Sequence, residues 1–380
     1  MHYWPALDGL RALAVIAVML FHAQWPAAKG GFLGVDVFFV LSGFLITAQL
    51  TLEMQAKGRI SLCAFFMRRL VRLQPALLLL LLVYAGCGTW TNWLPPQVAG
   101  VWPTDVAVVA LAMAHWARAW EWHAPDYLGH TWSLGIEEQF YLLWAVAMAM
   151  FARRHATPAT VIPWALAGAL FSAVWMAGLH LMGATPSRLY NGLDTRAMAL
   201  LTGCVLALAL IRSHPERIFL HGNAENRVNG PLAQGRTHPW GGYAGIALLL
   251  GSMHILTWTQ PVMFFGGYFL VALLTAWLLR CLVLAPDRGC SSLLSWSPLV
   301  YIGQWSYGLY LWHYPMFRVA EYQAGQYGVP FAVAMVLGAL TTVVISAASY
   351  HLVERPLRLG YARRRAQRRA QITIQSHPLA

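Results

Sequence analysis

The chain alternates long apolar runs with short polar breaks. Apolar segments fall near residues 7–25, 31–52, 73–92, 104–117, 132–152, 161–182, 195–212, 242–258, 262–284, 298–318 and 328–352. Most approach the roughly 20 apolar residues that a helix needs to cross a hydrocarbon core of about 30 Å. Backbone polar groups inside a bilayer must be satisfied internally, so these runs are expected as helices. The pattern predicts eleven candidate spans, with little chain left for a separate soluble domain.

The basic residues decide how many of the eleven cross. They cluster at Lys57–Arg72, Arg153–Arg154, Arg212–Arg236, Arg280–Arg288 and Arg355–Arg369. Cytoplasmic loops of membrane proteins carry such an excess. All five clusters share one side only if one candidate between Arg72 and Arg153 fails to cross. The weakest is 104–117, whose uninterrupted apolar core, Val106–Ala114, is short and is followed by His115, Arg118 and Glu121. It is expected to be re-entrant or interfacial. The expectation is an all-α polytopic membrane protein with about ten transmembrane helices and both termini cytoplasmic.

This topology places 93–131 outside, with Trp93, Trp102, Trp116, Trp120 and Trp122. Such tryptophans form an interfacial belt or, in a sharper reading, a sugar-binding platform. The polar stretch 213–241, with His214, His221 and His238, reads as a cytoplasmic connector rather than a metal site. The run Arg363–Arg369 is expected to touch anionic lipid headgroups. The domain division expected is a membrane domain over 1–358 and a basic cytoplasmic tail over 359–380. No internal repeat or low-complexity segment is present.

Composition supports the same class. The chain is 58% hydrophobic and 11% charged, whereas soluble domains are about 25% charged. A soluble two-domain enzyme, a disordered chain and a nucleic-acid binder with a large basic surface are excluded. The net charge of +12 comes from 24 Arg and only two Lys, Lys29 and Lys57. Most of that excess belongs to cytoplasmic loops; some guanidinium groups would suit phosphate on an anionic ligand. The five cysteines form no C-x-x-C pair and read as packing residues. The N-terminus lacks a basic leader region, and Asp8 and Arg11 interrupt its apolar run, so it is expected to be retained.

Charges inside apolar segments call for a partner or a cavity. The first segment holds Asp8, Arg11 and His22. Arg11 and His22 are eleven positions apart, so at about 100° per residue they share a helix face, roughly 16 Å apart along the axis. Two readings stand: a fixed cation with a proton-handling imidazole, or a snorkelling arginine with an interfacial histidine. Asp36 lies in the second segment after Gly30-Gly31-Phe32-Leu33-Gly34, and Ser42-Gly43 follows it. Glu137 and Glu138 open the fifth segment, and Glu137 shares a face with Tyr141. His313 is a second histidine inside an apolar run, where a packed role and a chemical one are both open.

Together these segments carry a resemblance. The matching stretches are Leu7-Asp8-Gly9-Leu10-Arg11-Ala12 with His22, Gly34-Val35-Asp36-Val37-Phe38-Phe39-Val40-Leu41-Ser42-Gly43, and Phe66-Met67-Arg68-Arg69-Leu70-Val71-Arg72. Further on come Trp132-Ser133-Leu134 with Glu137 to Tyr141, Asp194-Thr195-Arg196, Ser306-Tyr307 to His313, and Val353-Glu354-Arg355-Pro356. In this order the chain resembles acyltransferase family 3 of the membrane-bound O-acyltransferases, which includes bacterial O-antigen and exopolysaccharide acetylases. Gly135 stands where many relatives have serine, and Gln74 where many have isoleucine or leucine.

The resemblance implies a bacterial inner-membrane enzyme. It would take an acyl group, expected to be acetyl, from cytoplasmic acyl-CoA to a hydroxyl on a sugar or lipid-linked glycan. Acyl-CoA would be a donor substrate; no tightly bound cofactor, metal or nucleic acid is implied. His22 would be the general base and Arg11 would position the donor or stabilise developing charge. Glu137 would belong to the polar catalytic core. Arg68, Arg69 and Arg72, in a basic segment before the third helix, would contact CoA phosphates. Asp8, Asp36, Ser42, Tyr141, Arg196 and His313 occupy motif positions without a settled role. Many relatives carry an esterase-like periplasmic domain after the last helices; this chain is expected to be the stand-alone type. Rival readings are a glycan transporter or flippase and an accessory subunit of a polysaccharide machine.

Overall fold

A computed structural model describes residues 3–218, 239–286 and 288–376. Every regular element among them is helical. Eight helices are long and apolar enough to cross a membrane: Pro5–His22, Gly31–Lys57, Leu62–Trp90, Gly129–Arg153, Pro158–Leu181, Pro186–Ser213, Met263–Leu284 and Phe331–Arg364. Two more lie just short of that standard. Pro239–Ile255 has 17 residues, and Ser306–Tyr327 is diluted by Arg318, Glu321 and Gln323. Among the described residues, eight of about ten expected helices thus meet that standard, and the chain is an all-α polytopic membrane protein. Most of the 213–241 connector lies outside the described residues.

The helices used below are α1 (Pro5–His22), α2 (Gly34–Lys57), α3 (Leu62–Trp90), α4 (Trp102–Ala110), α5 (Ala114–Ala119), α6 (Trp132–Arg153), α7 (Pro158–Leu181) and α8 (Pro186–Asn191). After them come α9 (Leu193–Ser213), α10 (Pro239–Ile255), α11 (Tyr268–Leu284), α12 (Cys290–Leu294), α13 (Ser297–Gln304), α14 (Ser306–Tyr327), α15 (Phe331–Ser349) and α16 (Arg355–Ser376).

Local chemistry sets the boundaries. Proline stands at the start of α1, α7 and α8, where its fixed φ and missing N–H cost nothing. Gly58, at φ +65, ends α2, a left-handed position that glycine takes without strain. The segment 104–117 breaks into α4 and α5, with Ala112 between them at φ +55. Neither piece is long enough to cross a bilayer.

Two boundaries differ from the sequence pattern. Helix α3 starts at Leu62, capped by the Ser61 hydroxyl, which accepts from the Ala64 N–H at 3.4 Å. Arg68, Arg69 and Arg72 therefore ride within the helix, not before it. Their charge hid a helix that runs on through Pro75 to Trp90. The run 298–318 is split at Trp305 into α13 and the start of α14, so the long helix lies nearer Tyr327 than expected.

The chain forms two compact units. One comprises residues up to Ile60 and Ala107–Ser306; the other comprises Ser61–Val106 and the residues from Tyr307 on. In the first, α2 crosses α9 at paired glycines. A Cβ on Gly43 would strike the Leu200 carbonyl, and one on Gly203 would strike the Val40 carbonyl. Small residues allow such close approach where lipid supplies no hydrophobic drive between helices.

One end of this unit collects the elements that matter for the site. The Gly30 N–H donates to Met253 O at 2.7 Å, and His254 Nδ1 bonds Ala27 O at 3.0 Å. These bonds join the connection after α1 to the end of α10. The starts of α2, α6 and α9 meet there too, through Asp36, Trp132 and Arg196. At the opposite end α12 and α13 clamp α1. Gly9 faces the Leu294 carbonyl, and Gly303 faces the Asp8 backbone.

In the second unit, the buried Tyr84 hydroxyl donates to Asp105. The Tyr307 hydroxyl donates to Leu73 O at 2.9 Å, tying α14 to α3.

Candidate active site

Helix α6 brings Glu137 and Tyr141, one turn apart, against Ser42 on α2. The Ser42 hydroxyl donates to Glu137 Oε1 at 2.7 Å, and the Tyr141 hydroxyl donates to Ser42 Oγ at 3.1 Å. One turn on, Trp144 Nε1 donates to Thr47 Oγ1 at 2.8 Å, which fixes the same helix pair. The three groups form a directed chain from phenol to hydroxyl to carboxylate. Its direction draws the serine proton toward Glu137, the arrangement that a proton relay or an activated hydroxyl requires.

On α1, Arg11 Nη1 donates to Asp8 Oδ1 at 2.8 Å. The second Asp8 oxygen accepts from the Tyr3 hydroxyl at 2.8 Å, and Gln304 Nε2 donates to Tyr3 at 3.3 Å. Arg11 is thus held by a built partner rather than left to snorkel. Burial also raises the pKa of the Tyr3 phenol, and its bond to Asp8 adds to the effect. At the far end of α1, His22 Nδ1 lies 3.1 Å from Val18 O. A carbonyl only accepts, so Nδ1 carries the proton of the neutral ring and Nε2 carries the basic lone pair. The tautomer that leaves Nε2 free for base chemistry is the one favoured by the histidine's own helix.

Asp36 and Arg196 meet across α2 and α9. Arg196 Nη2 donates to Asp36 Oδ1 at 2.8 Å, and neither side chain is exposed. Arg196 Nε and Nη1 have no hydrogen-bond partner. Aromatic faces take that place: the guanidinium carbon lies 4.0 Å from the Tyr268 ring centre, 5.0 Å from Tyr190, 5.9 Å from Phe39 and 6.0 Å from Trp132. Ring quadrupoles attract a desolvated cation. The rings run on from Tyr190 and Tyr268 to Phe32, then Phe21, then His22. A continuous aromatic wall thus connects His22 to the buried pair.

Around the same end lie polar groups that the sequence pattern did not single out. Arg188 clasps Asp194 with two bonds of 2.9 and 2.5 Å, and Trp175 Nε1 donates to Asp194 at 2.8 Å. Asp194 sits within a motif, but its partner Arg188 is six positions earlier on α8 and carries no pattern of its own. His115 is fully buried on α5, and its Nε2 lies 3.1 Å from Gln139 Oε1. Burial pulls its pKa down to about 4. In sequence it read only as the polar end of a weak segment.

The second unit holds the remaining expected residues. Arg68, Arg69 and Arg72 lie along the first half of α3, and Arg69 stacks over Phe65 at 5.8 Å. Glu354, buried just before α16, accepts from Ser349 Oγ at 3.2 Å and feels the charges of Arg358 and Arg72. The basic segment and the Glu354-Arg355-Pro356 motif therefore share an electrostatic neighbourhood. His313 is completely buried, with Nδ1 against Tyr310 O at 2.7 Å and Leu309 O at 3.2 Å. Among the described residues, no three His, Cys, Asp or Glu side chains come together in a way that would hold a metal ion.

The fold and these groups define a polytopic helical membrane protein with a polar site built inside its bundle. The sequence profile of a family described as an acyltransferase domain matches residues 4–351. The chain belongs to this acyltransferase domain family. Among curated relatives, the peptidoglycan O-acetyltransferase OatA of Listeria monocytogenes is 32% identical over 366 residues, covering 94% of this chain and 56% of its own length. The putative peptidoglycan O-acetyltransferase YrhL of Bacillus subtilis is 32% identical, covering 94% and 55%. The O-acetyltransferase OatA of Staphylococcus aureus is 34% identical over 371 residues, covering 94% and 57%. The chain thus spans a little over half the length of these relatives. No solved structure matches it.

Proposed function

We propose that this chain is a membrane O-acyltransferase that moves an acetyl group from cytoplasmic acetyl-CoA toward a hydroxyl of a cell-wall glycan. The observation that carries this reading is the Tyr141–Ser42–Glu137 chain, a hydroxyl–carboxylate arrangement inside a helix bundle. The relatives' names supply the acceptor class: two of the three are called peptidoglycan O-acetyltransferases.

The chemistry follows from the groups. A sugar hydroxyl is a poor nucleophile at neutral pH and needs a base within hydrogen-bond reach. His22 Nε2 is that base, at the end of α1 where the aromatic wall gathers. Attack at the thioester carbonyl forms an oxyanion that collapses with loss of the C–S bond. The CoA thiolate leaves and takes the proton from His22 Nε2, while Arg11, oriented by Asp8, holds negative charge elsewhere on the donor. Arg11 and His22 stand roughly 16 Å apart along α1. Arg68, Arg69 and Arg72 take the CoA phosphates, for which guanidinium geometry is suited. The Tyr141–Ser42–Glu137 chain supplies a separate proton-handling group on α2 and α6. Asp36 and Arg196 touch no substrate in this reading; they hold α2 and α9 in register. The sides of the membrane follow the positive-inside rule, with both termini in the cytoplasm.

The test is direct. The full chain, reconstituted in vesicles, is given acetyl-CoA labelled in the acetyl group together with a soluble peptidoglycan glycan. Label should pass to the glycan as an alkali-labile ester, and His22→Ala should abolish transfer. Glycan uptake with no covalent transfer would overturn the reading in favour of transport.

A further inference from the structure

The end of the first unit that gathers α5 and α8 carries one aromatic surface that packing alone does not explain. Trp120 is 59% exposed, yet it is stacked in near-parallel fashion on Trp116, with ring centroids 4.7 Å apart and planes 20° apart. Trp116 is itself pinned. Its Nε1 donates to Gln139 Oε1 at 3.2 Å, and the Arg188 guanidinium lies 5.6 Å from its ring centre. Arg188 is held in turn by its two bonds to Asp194. An indole that only anchors a protein at the lipid interface needs no such backing.

The polar groups beside it are fixed as well. Glu121, the next residue, adopts φ +56, a left-handed position after a helix where glycine is the inexpensive choice. Its carboxylate accepts from Thr185 Oγ1 at 2.8 Å. Arg118 Nε donates to Asn191 Oδ1 at 3.3 Å, and Ser187 Oγ donates to Arg118 O at 2.9 Å. A rigid, exposed indole face with a held carboxylate and a held guanidinium nearby suits a pyranose. The axial C–H bonds of the sugar pack on the negative face of the ring, and its hydroxyls need fixed donors and acceptors at the edge.

We propose that Trp120, backed by Trp116 and flanked by Glu121 and Arg118, is a subsite for an N-acetylhexosamine unit of the acceptor glycan. This rests on the glycan-acceptor reading above. The place suits the role. Helix α8 presents Arg188 to Trp116 and, two positions on, Tyr190 to the wall that leads through Phe32 and Phe21 to His22. A glycan held at Trp120 therefore sits at the same end of the unit as the proposed base.

The full chain in lipid nanodiscs tests this with chitotetraose as the probe. Binding is measured without donor, and acceptor KM, acetyl-CoA KM and kcat are measured with it. Trp120→Ala should weaken chitotetraose binding about tenfold and raise its KM equally, the scale of one lost aromatic stacking contact. The acetyl-CoA KM and kcat should stay within about twofold, and Trp120→Phe should restore most of the binding. Trp122→Ala, equally exposed but not stacked on a second indole, should change nothing. Equal binding by Trp120→Ala, equal loss in Trp122→Ala, or no binding of chitotetraose by the unaltered chain would each overturn the subsite. Trp120-dependent binding without acetyl transfer would sink the enzymatic reading and leave the subsite standing. Transfer with an unchanged acceptor KM in Trp120→Ala would do the reverse.

Discussion

Arg196 donates to Asp36 at 2.8 Å across two helices, with both side chains fully enclosed. Only one of the three guanidinium nitrogens is bonded; the other two face aromatic rings. Removing one partner would leave a buried charge uncompensated, a loss of about 3–5 kcal/mol. Asp36→Leu and Arg196→Met should therefore each destabilise the protein severely. The double variant Asp36→Leu/Arg196→Met should regain a large part of that loss, because it strands no charge. Thermal unfolding of the four proteins in one detergent completes the cycle. Additive losses would show that the pair does not act as a unit.

Glu137 accepts from Ser42, and Ser42 accepts from Tyr141, so the carboxylate orients the whole chain. Glu137→Gln keeps the size and loses the charge. It should lower single-turnover acetyl transfer by about two orders of magnitude, the usual scale for a positioned proton-transfer group. Ser42→Ala should cost about as much, and the double variant little more, since groups that act together are not additive. Tyr141→Phe removes only the outermost donor and should cost less. Multiplicative losses in the Glu137 and Ser42 double variant would contradict a shared relay.

Gly203 and Gly178 make a controlled comparison, both in long helices with ordinary helical backbone. A Cβ on Gly203 would meet the Phe44 nitrogen at 2.8 Å and the Val40 carbonyl carbon at 3.0 Å, whereas nothing lies within 4 Å of one on Gly178. Gly203→Ala should lower stability by about 1–3 kcal/mol, as overpacking does. Gly178→Ala should be neutral or stabilise by up to about 1 kcal/mol, through the helix propensity of alanine. Paired melting temperatures check the contrast.

What could be read from sequence follows from how each feature is encoded. Apolar run length is local, so the helices and the non-crossing segment before His115 were visible. Arg68, Arg69 and Arg72 obscured the true start of α3, because a hydropathy pattern registers their charge and not the unbroken backbone beneath it. The motif residues Asp8, Arg11, Asp36, Ser42, Glu137, Tyr141 and Arg196 stood out as polar groups among apolar neighbours. Their pairing did not. Ser42 and Glu137 are 95 positions apart, and Asp36 and Arg196 are 160 apart. Arg188 and Tyr190 were invisible for a different reason. A cation and a phenol near a helix end are ordinary until the fold places indoles against them.

His115 offers a readout of pH. Gln139 Nε2 donates to Ala112 O at 3.1 Å, which turns Oε1 toward His115 Nε2. The ring proton therefore sits on Nε2, and Nδ1 is a buried acceptor with no partner. Gly135 leaves room for it, since a Cβ there would stand 2.6 Å from Nδ1. Protonating Nδ1 would bury a charge beside apolar groups, and burial accordingly lowers the pKa from 6.5 to about 4. Between those values the unfolded chain binds a proton that the folded chain does not. This contribution to stability is thus complete above pH 6.5 and is lost as pH falls toward 4. The melting temperature should drop between pH 7 and about pH 5, and His115→Gln should flatten that slope without removing the bulk that fills the site. Melting curves of the two proteins across this range, in one detergent, decide it: parallel slopes would mean that another group controls the acid limb.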